Sequence, residues 1–194
     1  MENGSPTGAL ACSQCHGADG VGNRDFGFPR LAGMNAAYPV HELGAFAGDT
    51  RKNDIMSPIA TALTPDERTA VTAYYAALPA VAPALSPPPA TPDDAARGER
   101  LALGGDWAKG LPACASCHGR DGGGVGSAFP ALAGQPVDYL AGQLDAWREG
   151  KRSDDPLALM KNVVAKLSPD EVLAVSAYYA GLPVRATANA GGTP

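Results

Sequence analysis

The sequence predicts an all-α protein built from two copies of one domain, and three observations lead to this prediction. The chain has 194 residues, which allows one large domain or two small ones at the usual ~100–200 residues per domain. A cysteine motif that begins at Cys12 recurs at Cys114, and the similarity between the halves continues beyond it. Helix-start signals are present in both halves, whereas the alternation of apolar and polar residues typical of strands is absent.

The repeat extends over most of the chain. CSQCHG at 12–17 reappears as CASCHG at 114–119, and FPRLAG at 28–33 reappears as FPALAG at 129–134. Self-similarity on this scale indicates a duplicated structural unit. Downstream, the corresponding pairs are Tyr38 and Tyr139, Arg51 and Arg152, Asp54 and Asp155, and Met56 and Met160.

A proline-rich stretch separates the copies. Six prolines lie between Pro79 and Pro92, a composition that favours extended polyproline II and a semi-rigid spacer. We therefore expect a first domain over residues 1–79, a linker over 80–92 and a second domain over 93–194.

Each copy carries a strong signal for the start of its last helix. TPDE at 64–67 and SPDE at 168–171 supply a capping hydroxyl, a proline at the first helical position and a glutamate three residues after the cap. The helices that follow should end near Leu78 and Leu182. Apolar residues at helical spacing predict further helices over 38–46 and 137–147.

A C-x-x-C-H sequence in each copy is typical of c-type haem attachment. Two thiols on adjacent turns can form thioethers with the two vinyl groups of one porphyrin, and the following histidine can bind the iron. We therefore expect two covalently bound haem c groups. The attachment residues are Cys12, Cys15 and His16 in the first copy and Cys114, Cys117 and His118 in the second.

The cysteines allow two other interpretations, a four-cysteine zinc site and a thioredoxin-like dithiol. Zinc would require the two pairs to converge, although each pair lies in its own repeat. A dithiol requires no histidine after its second cysteine. The sequence therefore favours haem.

A methionine in each copy is the expected sixth iron ligand, because His/Met coordination is one of the arrangements that proteins give to haem c. Met1 is terminal and Met34 aligns with Gln135, so only Met56 and Met160 correspond. The alternative is that they fill gaps in the core, a common use of the flexible thioether side chain.

Three further side chains are candidate ligands or haem contacts. His41 corresponds to Gly142, and we interpret it as a surface or helix-face histidine. Arg51 and Arg152 precede the methionines in both copies, so each could bind a haem propionate. The alternative is a solvated loop charge.

Charge and hydropathy limit the kinds of partner that we expect, and the haem chemistry indicates where the protein is located. The formal net charge is −5 and no run of Lys or Arg occurs, so nucleic acid is not an expected partner. No stretch approaches the ~20 apolar residues that cross a bilayer. Covalent haem attachment takes place outside the bacterial cytoplasm, and we therefore expect a periplasmic protein with a signal peptide upstream of this chain.

The two CXXCHG motifs, the F-P-x-L-A-G segments, the R-x-x-D loops and the methionine followed by L-[ST]-P-D-E and a tyrosine pair resemble cytochrome c4. This is the two-domain, two-haem branch of the class I cytochromes c. The resemblance implies two tandem class I cytochrome c domains joined by the Pro-rich linker. It also implies that the carbonyls of Pro29 and Pro130 orient the histidine ligands, and that a helix over 93–103 packs across the C-terminal helix.

The resemblance further implies an electron carrier. Its expected partners are redox proteins, such as a quinol-oxidising complex or dehydrogenase as donor and a membrane-bound terminal oxidase or reductase as acceptor. One alternative is the haem subunit of a larger dehydrogenase of flavocytochrome type. The other is a dihaem enzyme, such as a thiosulfate dehydrogenase or peroxidase, which would need an exchangeable iron ligand.

Two departures from the family pattern concern the first copy. Only eleven residues precede Cys12, too few for a counterpart of the 93–103 helix, so either the N-terminus has been trimmed or the first domain is unusually open there. Met34 also replaces the glutamine that the second copy keeps as Gln135. We therefore expect the two haem environments to differ.

Overall fold

The computed structural model describes residues 4–81, 91–155 and 157–184, and in these ranges it confirms the all-α prediction. Extended segments of the described chain pair only as isolated bridges, such as Asn23 with Phe28 and Val125 with Phe129. The helices of the first copy are α1 (Ser13–His16), α2 (Ala37–Ala47), α3 (Met56–Ala62) and α4 (Pro65–Ala77). Those of the second are α5 (Pro92–Gly104), a 3-10 turn (Trp107–Lys109), α6 (Ala115–His118), α7 (Val137–Arg148), α8 (Leu159–Val164) and α9 (Pro169–Gly181). No described helix is long and apolar enough to span a membrane.

The capping boxes form as predicted. The Thr64 hydroxyl accepts from the Glu67 amide at 3.2 Å, and the Glu67 carboxylate accepts from the Thr64 amide at 2.8 Å. Ser168 and Glu171 repeat this exchange at 3.3 and 2.8 Å. Helices α4 and α9 end one residue before Leu78 and Leu182, and these two leucines are the C-caps. Because the boxes satisfy otherwise orphan amides, they fix where α4 and α9 begin.

Helix α5 packs across α9, as the family resemblance implies. Gly98 lies at their crossing, where a Cβ atom would come within 2.3 Å of the Ala174 carbonyl oxygen. Beside the crossing, the core contains Leu101, Leu111 and Val172. The close approach of the helix backbones therefore depends on a residue without a side chain.

The predicted linker falls largely outside the described residues, because 82–90 are among those not described. Its last residue, Pro92, is already the first residue of α5, and the Thr91 hydroxyl caps that helix by accepting from the Asp94 amide at 3.1 Å. Threonine and proline together form a helix start of the same kind as TPDE, so the second domain's helix begins one residue before the predicted boundary.

The copies meet around an approximate two-fold relation. The Lys52 amide donates to the Lys151 carbonyl at 2.8 Å, and the Ser153 amide donates to the Thr50 carbonyl at 2.7 Å. Exchanging each residue for its repeat counterpart converts one hydrogen bond into the other. The duplicated halves therefore associate through the same short segment, which precedes the candidate methionine ligand in each copy.

The packing at Gly98 predicts a large effect of one methyl group. We expect Gly98→Ala to lower the free energy of unfolding by about 1–3 kcal/mol, because the Cβ overpacks the α5–α9 crossing. Denaturant unfolding of the holoprotein measures the change. Gly104→Ala on the same helix is the control: its Cβ would meet nothing within 4 Å, so a neutral or slightly stabilising effect is expected. Equal effects of the two substitutions would contradict the packing argument.

Candidate haem sites

Each C-x-x-C-H sequence folds into a single helical turn. The His16 amide donates to the Cys12 carbonyl at 2.9 Å, and the His118 amide donates to the Cys114 carbonyl at the same distance. The turn carries both thiols and the imidazole on one short rigid segment. Both histidines are buried, at 7% and 6% exposure.

A proline carbonyl fixes each imidazole. His16 Nδ1 lies 2.9 Å from the Pro29 carbonyl oxygen, and His118 Nδ1 lies 2.9 Å from that of Pro130. A carbonyl oxygen can only accept, so Nδ1 carries the proton and Nε2 keeps its lone pair. Burial lowers the pKa of both histidines, and the bond to the proline opposes this only in part. Both rings are thus held neutral, with Nε2 able to bind a metal.

A glycine brings the proline loop close to the histidine. Gly22 has φ of +84°, and a Cβ there would lie 2.5 Å from the Phe28 carbonyl oxygen. Gly124 is its counterpart, with φ of +83° and 2.7 Å to the Phe129 oxygen. Each glycine amide also donates to the carbonyl of the preceding CXXCH histidine, at 2.9 Å. Only glycine combines this backbone conformation with so close an approach.

The first copy contains a cavity of about 410 Å³, within the range of about 300–1,000 Å³ for cofactor sites. Cys12, Cys15, His16, Pro29 and Met56 all line it. The structure therefore brings together the residues that the sequence suggests for the first haem.

The second domain closes part of this cavity. Asp138, Tyr139 and Gln143 of α7 contribute to its lining. The first site is therefore complete only when the two domains are docked, which the sequence does not predict.

The two candidate methionines begin short helices but are anchored differently. Met56 is the first residue of α3, and its amide donates to the Asn53 side-chain oxygen at 2.8 Å. Met160 is the second residue of α8, and its amide donates to the Asp155 carboxylate at 2.6 Å. Both side chains are partly buried.

The chemistry of the second copy also fits a haem. The indole N–H of Trp147 and the hydroxyl of Tyr179 are buried without a hydrogen-bond partner among the described residues. Orphaned donors of this kind require an acceptor, and a porphyrin brings two carboxylates. The residues present therefore fit the group that the CXXCH motif implies.

The two alternative uses of the cysteines do not fit. Burial raises the pKa of Cys12 and raises that of Cys114 to about 11, whereas a reactive dithiol needs a lowered pKa. Among the described residues, the one cluster of potential metal ligands within 4.8 Å of one another contains no cysteine. It consists of His41, Glu42 and Asp154.

Arg51 and Arg152 lie at the domain boundary rather than in solvated loops, so that interpretation is wrong for both. They are 5% and 3% exposed. Both donate to the Glu42 carboxylate and to the Gln143 side-chain oxygen. Arg152 also donates to Asp154, at 2.7 and 3.1 Å. Contact with a haem propionate stays a prediction, although Arg51 lines the first cavity.

His41, Gln135 and Met34, which the sequence pattern distinguishes, also lie beside the domain interface. The side chain of His41 is 57% exposed, which confirms the surface interpretation, and its Nε2 lies 3.3 Å from the Asp154 carbonyl oxygen. Gln135 reaches into the first domain, where it exchanges two hydrogen bonds of 2.9 Å with the Arg30 backbone and lies 3.6 Å from Met34 Sδ. Methionine at position 34 cannot make the reciprocal bonds, so the two-fold relation is broken here.

Sequence reasoning missed these interface residues as a group. The repeat gave only a partial signal, because Arg30 corresponds to Ala131 and Glu42 to Gln143, whereas Tyr38 and Tyr139 are the same residue in both copies. The missed residues are Arg30, Tyr38, Glu42, Tyr139 and Gln143.

The Arg152–Asp154 pair predicts a specific pH dependence. Burial alone would raise the pKa of Asp154, but the hydrogen bond and charge of Arg152 outweigh burial and hold the pKa below its ordinary value. The stabilisation is therefore full above the unfolded pKa of about 3.9 and is lost as the pH falls through the lower folded pKa.

We expect the free energy of unfolding to fall more steeply in the wild type than in Asp154→Asn from about pH 4.5 to pH 2.5. Denaturant unfolding across this range measures the difference. Asparagine is a fitting control because the first copy has Asn53 at the corresponding position. Parallel pH curves would show that the pair contributes nothing.

Comparison with known proteins agrees with this geometry. The cytochrome c family model matches residues 2–79 and 95–182. The thiosulfate dehydrogenase electron acceptor of Stutzerimonas stutzeri (strain A1501) is 44% identical, over 96% of this chain and 85% of its own length. The crystal structure of reduced recombinant cytochrome c4 from Pseudomonas stutzeri superposes with a TM-score of 0.77 at 33% identity, covering 88% of this chain and 93% of that one.

The as-isolated form of thiosulfate dehydrogenase TsdBA from Marichromatium purpuratum gives a TM-score of 0.82 at 44% identity. The match covers 92% of this chain but only 38% of that longer one. Two matched domains, each with a CXXCH turn and a carbonyl-bound histidine, establish the cofactor content. The chain belongs to the cytochrome c family, as a cytochrome c4-like electron carrier with two covalently bound haem c groups.

Proposed function

We propose that His16 and Met56 are the axial ligands of the first haem, and that His118 and Met160 are those of the second. Cys12 with Cys15, and Cys114 with Cys117, provide the thioether bonds. The haem supplies one-electron chemistry when bound. The shared cavity of the first set supports this assignment, as do the neutral imidazoles with Nε2 free.

Pro29 and Pro130 act as orienting residues in this proposal. Each carbonyl accepts the Nδ1 proton and so prevents the imidazole from turning. The bond also increases the basicity of the opposite nitrogen. Arg51 and Arg152 keep positive charge at the domain boundary, where a propionate could be bound.

We propose further that this protein accepts electrons from a thiosulfate dehydrogenase. The observation that carries the proposal is the 44% identity, over 96% of this chain, to a protein named as the electron acceptor of that enzyme. Two saturated iron sites suit a carrier better than a catalyst, because catalysis at a metal needs an exchangeable position. The carrier would pass the electrons on to a membrane respiratory complex.

The location and domain limits belong to the same proposal. The protein would act in the periplasm, where c-type haem is attached. Residues 1–79 and 93–194 would form the two monohaem domains, with 80–92 between them, and the limits of the family match support this division.

The first test follows haem reduction. With thiosulfate and a catalytic amount of thiosulfate dehydrogenase, we expect complete reduction of both haems, recorded by absorbance in a stopped-flow instrument. The net charge of −5, to which the propionates add, predicts that docking to a basic partner slows as salt rises. Controls omit either thiosulfate or the enzyme.

The outcomes of this test separate the interpretations. Reduction by the free enzyme supports a diffusible carrier, whereas a complex that survives purification supports a fixed subunit, as the longer TsdBA chain suggests. No reduction by the enzyme, although dithionite reduces both haems, would rule out this donor. A rate that is independent of ionic strength would rule out electrostatic docking.

The axial assignment predicts that each methionine can be removed with loss of ligation at one haem only. We expect Met56→Ala and Met160→Ala each to remove about half of the methionine-to-iron charge-transfer absorbance, and to lower the potential of one haem, because a Met ligand raises it. Redox titration with absorbance detection measures both effects. Met34→Ala is the control, since Met34 has no counterpart in the repeat. An unchanged spectrum in either ligand variant would disprove that assignment.

A further inference from the structure

A buried charge cluster joins the two domains beside the first haem site. Its members are Glu42 and Arg51 from the first domain, and Gln143, Arg152 and Asp154 from the second. The side chains of Arg51, Glu42 and Arg152 are 6%, 6% and 2% exposed. Buried charges require close partners, so the geometry of this cluster constrains how the domains dock.

Glu42 is the centre of the cluster. Its carboxylate accepts from the Arg51 guanidinium within its own domain. It also accepts from Arg152 across the boundary, at 2.8 and 3.0 Å. Because the two guanidinium groups repel each other, the carboxylate between them is what allows both to remain buried.

The position opposite Glu42 is neutral. Gln143 occupies the corresponding place in the second copy, and its side-chain oxygen accepts from both arginines. Two glutamines here would leave two arginines with Asp154 as the only carboxylate, and a second glutamate would add a third buried carboxylate to those of Glu42 and Asp154. One glutamate and one glutamine balance the cluster.

The cluster is also part of the first haem site. Glu42, Arg51 and Gln143 line the cavity that contains His16 and Met56. Gln143 and its neighbour on α7, Tyr139, reach this cavity only from the docked second domain, and the Tyr139 hydroxyl lies 3.2 Å from the Arg51 guanidinium. A change in docking would therefore change the first haem's surroundings.

We propose that Glu42 is a positioning residue that holds the second domain against the first haem site, and that the cluster requires one carboxylate at either of the two repeat-related positions. Electron exchange between the haems then depends on Glu42, although Glu42 does not itself need to bind iron or a partner. This role rests on the two haem sites and is independent of which donor supplies the electrons.

A double-mutant cycle tests the proposal on the holoprotein, with Glu42→Gln, Gln143→Glu and the combined variant. We expect each single variant to lower the equilibrium constant for folding by roughly a hundredfold to a few thousandfold, the scale of an unpaired buried charge. The combined variant, which moves the carboxylate across the boundary, should recover most of this loss. Glu149→Gln is the control, because Glu149 is 52% exposed in its pair with Lys151.

The rate of electron exchange between the haems, measured by pulse radiolysis, is the second readout. We expect it to fall in both single variants and to recover in the combined one. If Glu42→Gln yields no folded holoprotein, recovery of folded holoprotein in the combined variant still supports the proposal.

Three results would overturn it. One is a Glu42→Gln variant that behaves like the Glu149→Gln control. The second is a loss that the combined variant fails to recover, which would confine the role of Glu42 to packing within its own domain. The third is exchange that stays fast while folding is weakened. If the double-mutant cycle gives the expected losses and recovery but the protein accepts no electrons from thiosulfate dehydrogenase, only the proposed electron donor is refuted.

Discussion

The hydrogen bond from the CXXCH histidine to a proline carbonyl is the constraint on which each domain depends. It decides the tautomer, because a carbonyl only accepts, and so leaves Nε2 free on a buried neutral ring. The bond requires the proline loop to return to the one-turn helix, and that return requires glycine at 22 and 124. Since the loop and helix also form the wall of the cavity, one bond of 2.9 Å links ligand chemistry to the fold.

Docking of the copies adds a second level of organisation. The paired backbone bonds around residues 51 and 152 preserve the two-fold relation of the duplication. The side chains beside them do not, because Gln135 lies against its counterpart Met34, and Gln143 stands where the first copy has Glu42. Polar groups buried at a boundary favour one arrangement only when every member is satisfied. Divergence after duplication has therefore produced an interface whose two halves carry different side chains at corresponding positions.

The sequence predicted the helices and haem motifs well, because each depends on local chemistry. The boxes at Thr64 and Ser168 act within four residues, and CXXCH acts within one turn. The interface was not predicted, since the contact of Arg152 with Glu42 spans 110 positions. For this reason Arg51 and Arg152 could not be distinguished in the sequence from solvated loop charges. Arginine recurs at this position in both copies, but its burial depends on contacts between residues that are far apart in the sequence.

The two candidate methionine loops extend this inequivalence to the iron ligands. Asp54 lies two residues before Met56, whereas Asp155 lies five before Met160. The longer loop places Ala158 at φ of +51°, a left-handed conformation that costs a non-glycine residue about 1–2 kcal/mol. A carboxylate holds the Met160 amide and a neutral amide oxygen holds that of Met56. Because negative charge near an iron stabilises its oxidised form, we expect the Asp155 anchor to lower the potential of the second haem under the proposed ligation, whereas Arg51 and Arg152 balance the charge of Glu42 beside the first site.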